Sequence, residues 1–445
     1  MTTSTTQAQP ERGLIFHWGL YAVSGFDSPQ SASSRRICNG SEWYLKRLLE
    51  SDSYRPTSGW RETQAYHKKH FPPGTTYWDF AKSFAPDPVA TVKAIRQDWM
   101  RAAKQFGATY VILTAKHHDG CCLWPTKTVS NGARAATHDW VREFKQAGTD
   151  AGLRFGLYFS WMEFERKPTK EFFEQIVRPQ MKELMAYAPE IYWFDGDWLC
   201  RTQHARQAIA DICAAIRFKF PRAQINDRLA DPKLDDPWSL GTSGATYRVY
   251  ADRAFPPSTV TPAPVTAHVP GASNTQDARS TGAALGDAAK ANSSGKETKS
   301  VPKTRKQPRW EHINTIGLSW GYNRAQEAKH YKTRTQLSEL SKRVRTHPSK
   351  CGRFLLNLGP DADGKLDPRE LTALSELASI EQGGKLDSHE LVTLSKLASI
   401  EQGATVHLTT SQGDVPCAPT MSSLTDAAEI AGPSAATTTD STLRS

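Results

Sequence analysis

The sequence predicts an α/β protein, specifically a (β/α)8-like (TIM-type) barrel, and three observations point there. Short apolar runs alternate with longer amphipathic stretches through residues 1–250, the pattern of strands and helices in a parallel sheet. The chain has 445 residues, ample for a barrel that takes about 250 as one domain. Polar or ionisable residues also recur where the apolar runs end. His17 closes LIFH, His117 and His118 follow YVILTAK, Tyr158 closes RFGLY, Asp195 closes IYWFD, and Arg228 follows QIND. In a parallel barrel all such ends share one rim, where loops assemble the active site.

Strands are expected at Leu14–Trp18, Tyr110–Ala115, Arg154–Phe159, Ile191–Phe194 and Ala223–Ile225. Helices fit between them. Pro88–Phe106 carries Val89, Val92, Ile95, Trp99, Ala102 and Phe106 at helical spacing, and Trp140–Gly152 ends in a glycine that suits a C-cap. Residues 256–308 are rich in Pro, Ser, Thr, Ala and Gly with almost no bulky apolar residues, the composition of a disordered insertion. Apolar runs that read as two more strands return at Trp310–Trp320 and Arg353–Leu358, so the insertion interrupts a barrel spanning residues 13–370 rather than ending it. Residues 364–383 and 384–403 then repeat one unit, GKLDPRELTALSELASIEQG followed by GKLDSHELVTLSKLASIEQG. Two copies are too few for a solenoid and read as a helix and its echo. Residues 1–12 and 404–445 have the composition of disordered ends.

Composition narrows the function. A hydrophobic content of 38%, with 10% aromatics and 13 Trp, fits a folded majority, and the flat face of Trp is a natural floor for a sugar ring. The formal charge of +10 comes from 56 Lys and Arg set against 46 Asp and Glu spread along the chain. The densest basic runs, 299–309 and 342–353, read as solvated segments, so no nucleic-acid partner is expected. Seven cysteines without a CxxC pair make neither a disulfide framework nor a zinc site. Residues 1–13 lack the apolar stretch of a secretory signal and no run of about 18 apolar residues exists for a membrane span. A soluble, reducing compartment is the default expectation.

Taken singly, several of the rim residues have ordinary roles. His17 could be a satisfied core histidine, Tyr158 a buried aromatic and Glu42 a surface residue. His117, His118 and Asp119 could suggest a metal, yet neighbours on an extended strand point to opposite faces, and neither HxH nor HExxH is present. No metal is expected. Asp195 is harder to set aside. An apolar strand delivers it into an aromatic setting, Gly196 lets the chain turn away, and an unpaired buried carboxylate would be costly. As a nucleophile it would attack an anomeric carbon while a second carboxyl about 5 Å away protonates the leaving oxygen. Asp197 is its near competitor.

Eight segments in order, Phe16-His-Trp-Gly-Leu-Tyr21, Glu42-Trp43, Lys116-His-His-Asp-Gly120, Gly156-Leu-Tyr158, Trp193-Phe-Asp-Gly196, Asn226-Asp-Arg228, Trp320-Gly-Tyr-Asn323 and Leu355-Leu-Asn-Leu-Gly-Pro360, resemble the motif series of the α-L-fucosidase family. The resemblance implies an exo-acting, retaining double displacement that releases L-fucose from fucosylated glycans, without metal or organic cofactor. It makes Asp195 the nucleophile. His17, Glu42, Trp43, His117, His118, Tyr158 and Arg228 match positions that hold fucose hydroxyls or flank the nucleophile, and Trp193 and Trp320 would supply apolar walls. The general acid differs among family subgroups. One subgroup carries it in a Trp-Glu segment shortly before Trp-Gly-Tyr, which matches Trp310-Glu311, so Glu311 is the expectation and Glu163 the outsider. No counterpart of the family's usual C-terminal β-sandwich is expected in the residues of this sequence. Relatives are often secreted or lysosomal, and the resemblance leaves self-association open. A catalytically inactive fucose-binding relative and a barrel glycosidase for another sugar are the alternatives.

Overall fold

The computed structural model describes residues 11–28, 40–52, 57–128, 134–231, 245, 247–250, 309–348 and 352–381. The expected insertion 256–308, the second repeat copy, residues 1–10 and the C-terminal tail lie outside these residues, whereas Glu11 and Arg12, expected in a disordered end, open the first strand and pair with Arg353 and Phe354.

Eight strands form one parallel sheet: β1 (Glu11–Phe16), β2 (Tyr110–Lys116), β3 (Arg154–Ser160), β4 (Ile191–Asp195), β5 (Gln224–Ile225), β6 (Tyr247–Tyr250), β7 (Arg309–Thr315) and β8 (Gly352–Leu358). Their spatial order is β5-β4-β3-β2-β1-β8-β7-β6, so the first strand pairs with the last, the register running from Glu11 opposite Arg353 to Phe16 opposite Leu358. This is the curled parallel sheet of a (β/α)8-like barrel. Most strand residues are buried on both faces because helices cover one side and the barrel interior fills the other. β2 shows this directly, with every residue of YVILTAK buried.

The covering helices follow local rules. Asp87 caps Pro88–Ala94 by accepting from the Ala90 N–H, with Pro88 in the first turn. That helix continues through a π turn, Ile95–Trp99, into Met100–Phe106. The π turn adds a residue and rotates the apolar face, which is why Ile95, Trp99, Ala102 and Phe106 are buried while Val89, expected on the same face, is 80% exposed. Asp139 caps Trp140–Asp150 through the Arg142 N–H, and Gly152 ends the turn beyond it at φ +72°. Further out come Arg178–Met185, Gln203–Lys219, Arg334–Thr346 and Pro368–Glu381, the last falling within the first copy of the sequence repeat. No described helix is long and apolar enough to cross a membrane.

Two strand expectations need correction. β7 stops at Thr315 rather than reaching Trp320, and β6 lies in a stretch to which the sequence assigned no strand.

Two cores result. Phe16, Trp99, Phe144, Phe155 and their neighbours fill the layer between sheet and helices. Ile15, Tyr110, Ile112, Tyr158, Ile191, Trp193, Tyr247, Ile313 and Leu355 fill the barrel. The interior is tight enough to require glycine. A Cβ on Gly156 would stand 2.9 Å from Ile112 Cγ1 and 3.0 Å from Ile191 Cβ, and one on Gly13 only 2.3 Å from the Tyr110 ring.

Candidate active site at the barrel mouth

Asp195 is the last residue of β4, and the chain leaves it through Gly196 at φ +77°. Its side chain stands at the C-terminal mouth, 8% exposed. Both carboxylate oxygens are held. Oδ2 accepts from the Tyr158 hydroxyl at 2.9 Å, and Oδ1 takes the Arg228 guanidinium. His118 Nε2 lies 3.7 Å from Oδ2, and Ser160 Oγ, 2.7 Å from His118 Nδ1, fixes that ring. Burial by itself would raise the Asp195 pKa, but Arg228, His118 and the Tyr158 hydroxyl together overcome it and hold the carboxyl below its ordinary value. The result is an ionised, oriented carboxylate in a largely buried site.

The three histidines are neutral near pH 7, each because burial disfavours the imidazolium. His17 is lowered to about 4 by burial, against the opposing Asn357 hydrogen bond and the charge of Asp195. His118 is lowered to about 4 by burial against the charge of Asp195. His117 lies well below its ordinary value, through burial and its two histidine neighbours. The His17 tautomer follows from its partner. Asn357 Nδ2 donates to the Trp320 carbonyl at 2.6 Å, which turns Asn357 Oδ1 toward His17 Nδ1, also at 2.6 Å. Nδ1 therefore carries the proton and Nε2 is left as an acceptor.

Glu42 comes from a 3-10 turn, Ser41–Trp43, and is 1% exposed. Its Oε2 accepts from the Gly321 N–H at 3.0 Å, while Oε1 has no hydrogen-bond partner. Burial pushes it up to about 8, so it holds a proton at neutral pH and can donate. The turn is anchored by the buried Arg47–Asp27 pair at 2.8 Å and by Arg47 donating to the Gly40 carbonyl. Trp43 meets His118 edge-on at 5.6 Å, and the half-buried Trp320 lies 5.3 Å from His17.

His17, Glu42, Trp43, His117, His118, Tyr158, Asp195, Arg228 and Trp320 thus gather around one mouth. Three expectations change. The rings of His117 and His118 do not diverge. They lie 4.3 Å apart because the register shifts between Thr114 and Lys116 and the strand ends there. Trp193, expected as an apolar wall, stands one inward position below Asp195 on β4. It lies inside the barrel, 3% exposed, stacked on Tyr158 at 5.5 Å and lying under Arg228 at 4.9 Å.

The third and largest correction is Glu311. It is the third residue of β7, two inward positions below Thr315, and is wholly buried. Its neighbours are Tyr110, the first residue of β2, and Arg353, the second residue of β8, which mark the floor of the barrel. A proton donor must reach the leaving oxygen, and Glu311 faces the opposite end. Glu163, the outsider, is buried between Lys116 Nζ at 3.1 Å and Arg166 at 3.3 Å, tying loops together. Among the described residues, no group of three His, Cys, Asp or Glu side chains is arranged to hold a metal ion.

Sequence reasoning left out Asn357 and Ser160, which orient two of the histidines. Asn357 is a polar position within the apolar run of β8 and Ser160 is the polar last residue of β3, and both signals were legible. It also left out Trp198, whose ring meets His118 at 5.4 Å and which is 37% exposed at the mouth.

A parallel barrel that presents an oriented carboxylate, neutral histidines and indole faces at its C-terminal mouth defines a carbohydrate-active barrel protein. The chain belongs to the α-L-fucosidase family, whose sequence profile, Alpha-L-fucosidase, matches residues 7–262 and 269–380. It is 26% identical over 383 residues to an alpha-L-fucosidase of Dictyostelium discoideum, covering 82% of this chain and 67% of that protein. Human tissue alpha-L-fucosidase is 23% identical over 372 residues, covering 80% and 62%. The chain spans about two thirds or less of the length of these curated relatives. Among solved structures, Thermotoga maritima alpha-fucosidase in complex with a mechanism based inhibitor superposes with a TM-score of 0.57 at 26% identity, covering 83% of this chain and 72% of that one. The same enzyme in complex with fucose gives 0.57 at 25%, covering 85% and 75%.

Proposed function

We propose that the protein hydrolyses terminal α-L-fucosyl groups by a retaining double displacement with Asp195 as nucleophile. The observation that carries this is the pairing of the Asp195 carboxylate with Tyr158 on one oxygen and Arg228 on the other, which keeps it ionised and aimed. Attack on the anomeric carbon forms a fucosyl ester on Asp195 as the glycosidic C1–O bond breaks, and the aglycone leaves with the bonding pair, its oxygen taking up a proton that the hydrolytic water replaces. Water then cleaves that ester, and two inversions give net retention. Neutral His17 offers Nε2 as an acceptor for a sugar hydroxyl, and protonated Glu42 offers a donor. Trp43 and Trp320 supply apolar faces. The same reading makes a fucosylated glycan or glycoside the substrate and calls for neither metal nor organic cofactor.

The test is turnover of an aryl α-L-fucoside by the full chain beside Asp195→Gly. Loss of the nucleophile should lower kcat by about 10³-fold or more. Azide should restore turnover and yield the β-configured fucosyl azide, because only one inversion remains. A variant that keeps most of its activity would remove Asp195 from this role.

A further inference from the structure

We infer that Glu311 is a positioning residue: from the barrel floor it fixes the Trp193 indole, and through that ring the Tyr158 hydroxyl and Arg228 guanidinium that hold Asp195. The inference rests on the proposed role of Asp195.

A wholly buried carboxylate needs partners for both oxygens, and Glu311 has them. Oε2 accepts from the Tyr110 hydroxyl at 2.7 Å and lies 3.0 Å from Arg353. Oε1 accepts from the Trp193 indole N–H at 2.9 Å. Arg353 is itself packed against the Tyr247 ring at 4.0 Å and the Tyr110 ring at 5.1 Å, and Gly13 gives Tyr110 the room to reach inward. The carboxylate is therefore held on one side by a charge and a phenol, leaving its other oxygen at one place. A buried indole N–H must find an acceptor, so that oxygen sets the plane of the Trp193 ring.

The plane matters because both supports of the nucleophile rest on it. Tyr158 stacks on the indole with an interplanar angle of 18°, and the Arg228 guanidinium lies 4.9 Å from its centre. A tilt of the indole moves both contacts to Asp195 at once. Displacements of about 1 Å at a reacting group can cost about 10²-fold in rate.

A general acid and a positioning residue leave different signatures. The test compares full-length Glu311→Gln, Trp193→Phe and the double variant on aryl α-L-fucosides of graded leaving-group acidity. Trp193→Phe deletes the indole donor and leaves Glu311, Arg353 and Tyr110 paired, so it remains informative if Glu311→Gln fails to fold around an uncompensated Arg353. The expected result is a fall in kcat/KM of about 10–100-fold by the same factor for every leaving group. It comes with an acid limb moved to higher pH, no azide rescue, and a double variant no worse than the poorer single one. Glu311→Gln losses that grow with poorer leaving groups and are rescued by azide would overturn the inference, as would a Trp193→Phe protein indistinguishable from wild type. A second readout needs no turnover. A piperidine analogue of L-fucose, whose ammonium pairs with the Asp195 carboxylate, is titrated by calorimetry across pH, and its acid limb should move upward in Trp193→Phe. Absence of wild-type turnover would refute the proposed activity alone, whereas an unmoved titration limb would refute the role of Glu311.

Discussion

Glu42 is a carboxyl taken out of water with one oxygen unmatched, and its proton is what makes that burial tolerable. Its pKa is about 8 in the fold against 4.5 for the free group. A raised folded pKa contributes stability that is full below the unfolded value and is lost as pH rises through the folded one. Glu42→Gln removes that dependence. The melting temperature of Glu42→Gln relative to wild type should therefore climb between about pH 5 and about pH 8, as thermal unfolding at the two ends would show. A constant difference would mean Glu42 is ionised in the fold. At this scale the sequence was legible wherever a polar side chain ended an apolar run, as with His17, Tyr158 and Asp195. Glu311 failed the same rule. It sits at the start of its run, not the end, so its position within the strand already pointed to the floor. A Trp-Glu match is local and carries no information about which end of the strand the residue occupies.

Within the elements, the interior of β3 has little slack. Gly156→Ala puts a methyl against both Ile112 and Ile191, one from each neighbouring strand, and the Ile191 Cβ and carbonyl cannot retreat without moving the backbone. The expected destabilisation is about 1–3 kcal/mol, read as a lower urea midpoint with an unchanged m-value. An unshifted midpoint would mean the barrel interior can relax around it. Strands bracketed by helices were readable because both faces are apolar and the runs are continuous. β6 was not. Only Tyr247–Tyr250 pair with β7, too short a run to give a period, and a polar insertion follows it in sequence. The π turn at Ile95–Trp99 was equally hidden, since the spacing of apolar residues fits an uninterrupted helix almost as well.

At the level of the whole chain, the sheet order sets what can be removed. β1 lies between β2 and β8, so a protein ending before Gly352 would expose one edge of β1 and one of β7, and His17 would lose Asn357. Such a truncation should be insoluble or aggregated on expression, as size-exclusion chromatography would show, because unpaired apolar strand edges seek other chains. A monodisperse, folded product would contradict this. The barrel class was visible in the sequence from the alternation of elements, but the adjacency of first and last strands was visible only as an implication of closure. That adjacency also has a temporal side. The pocket takes His17 from the beginning of the chain and Asn357 from near the end of the described residues, joined at 2.6 Å. During synthesis at the usual speed of translation, roughly half a minute separates the emergence of these two partners. For that interval the nascent barrel carries an open β1 edge and no complete mouth, so whatever shields that edge in the cell must act while the ribosome is still working.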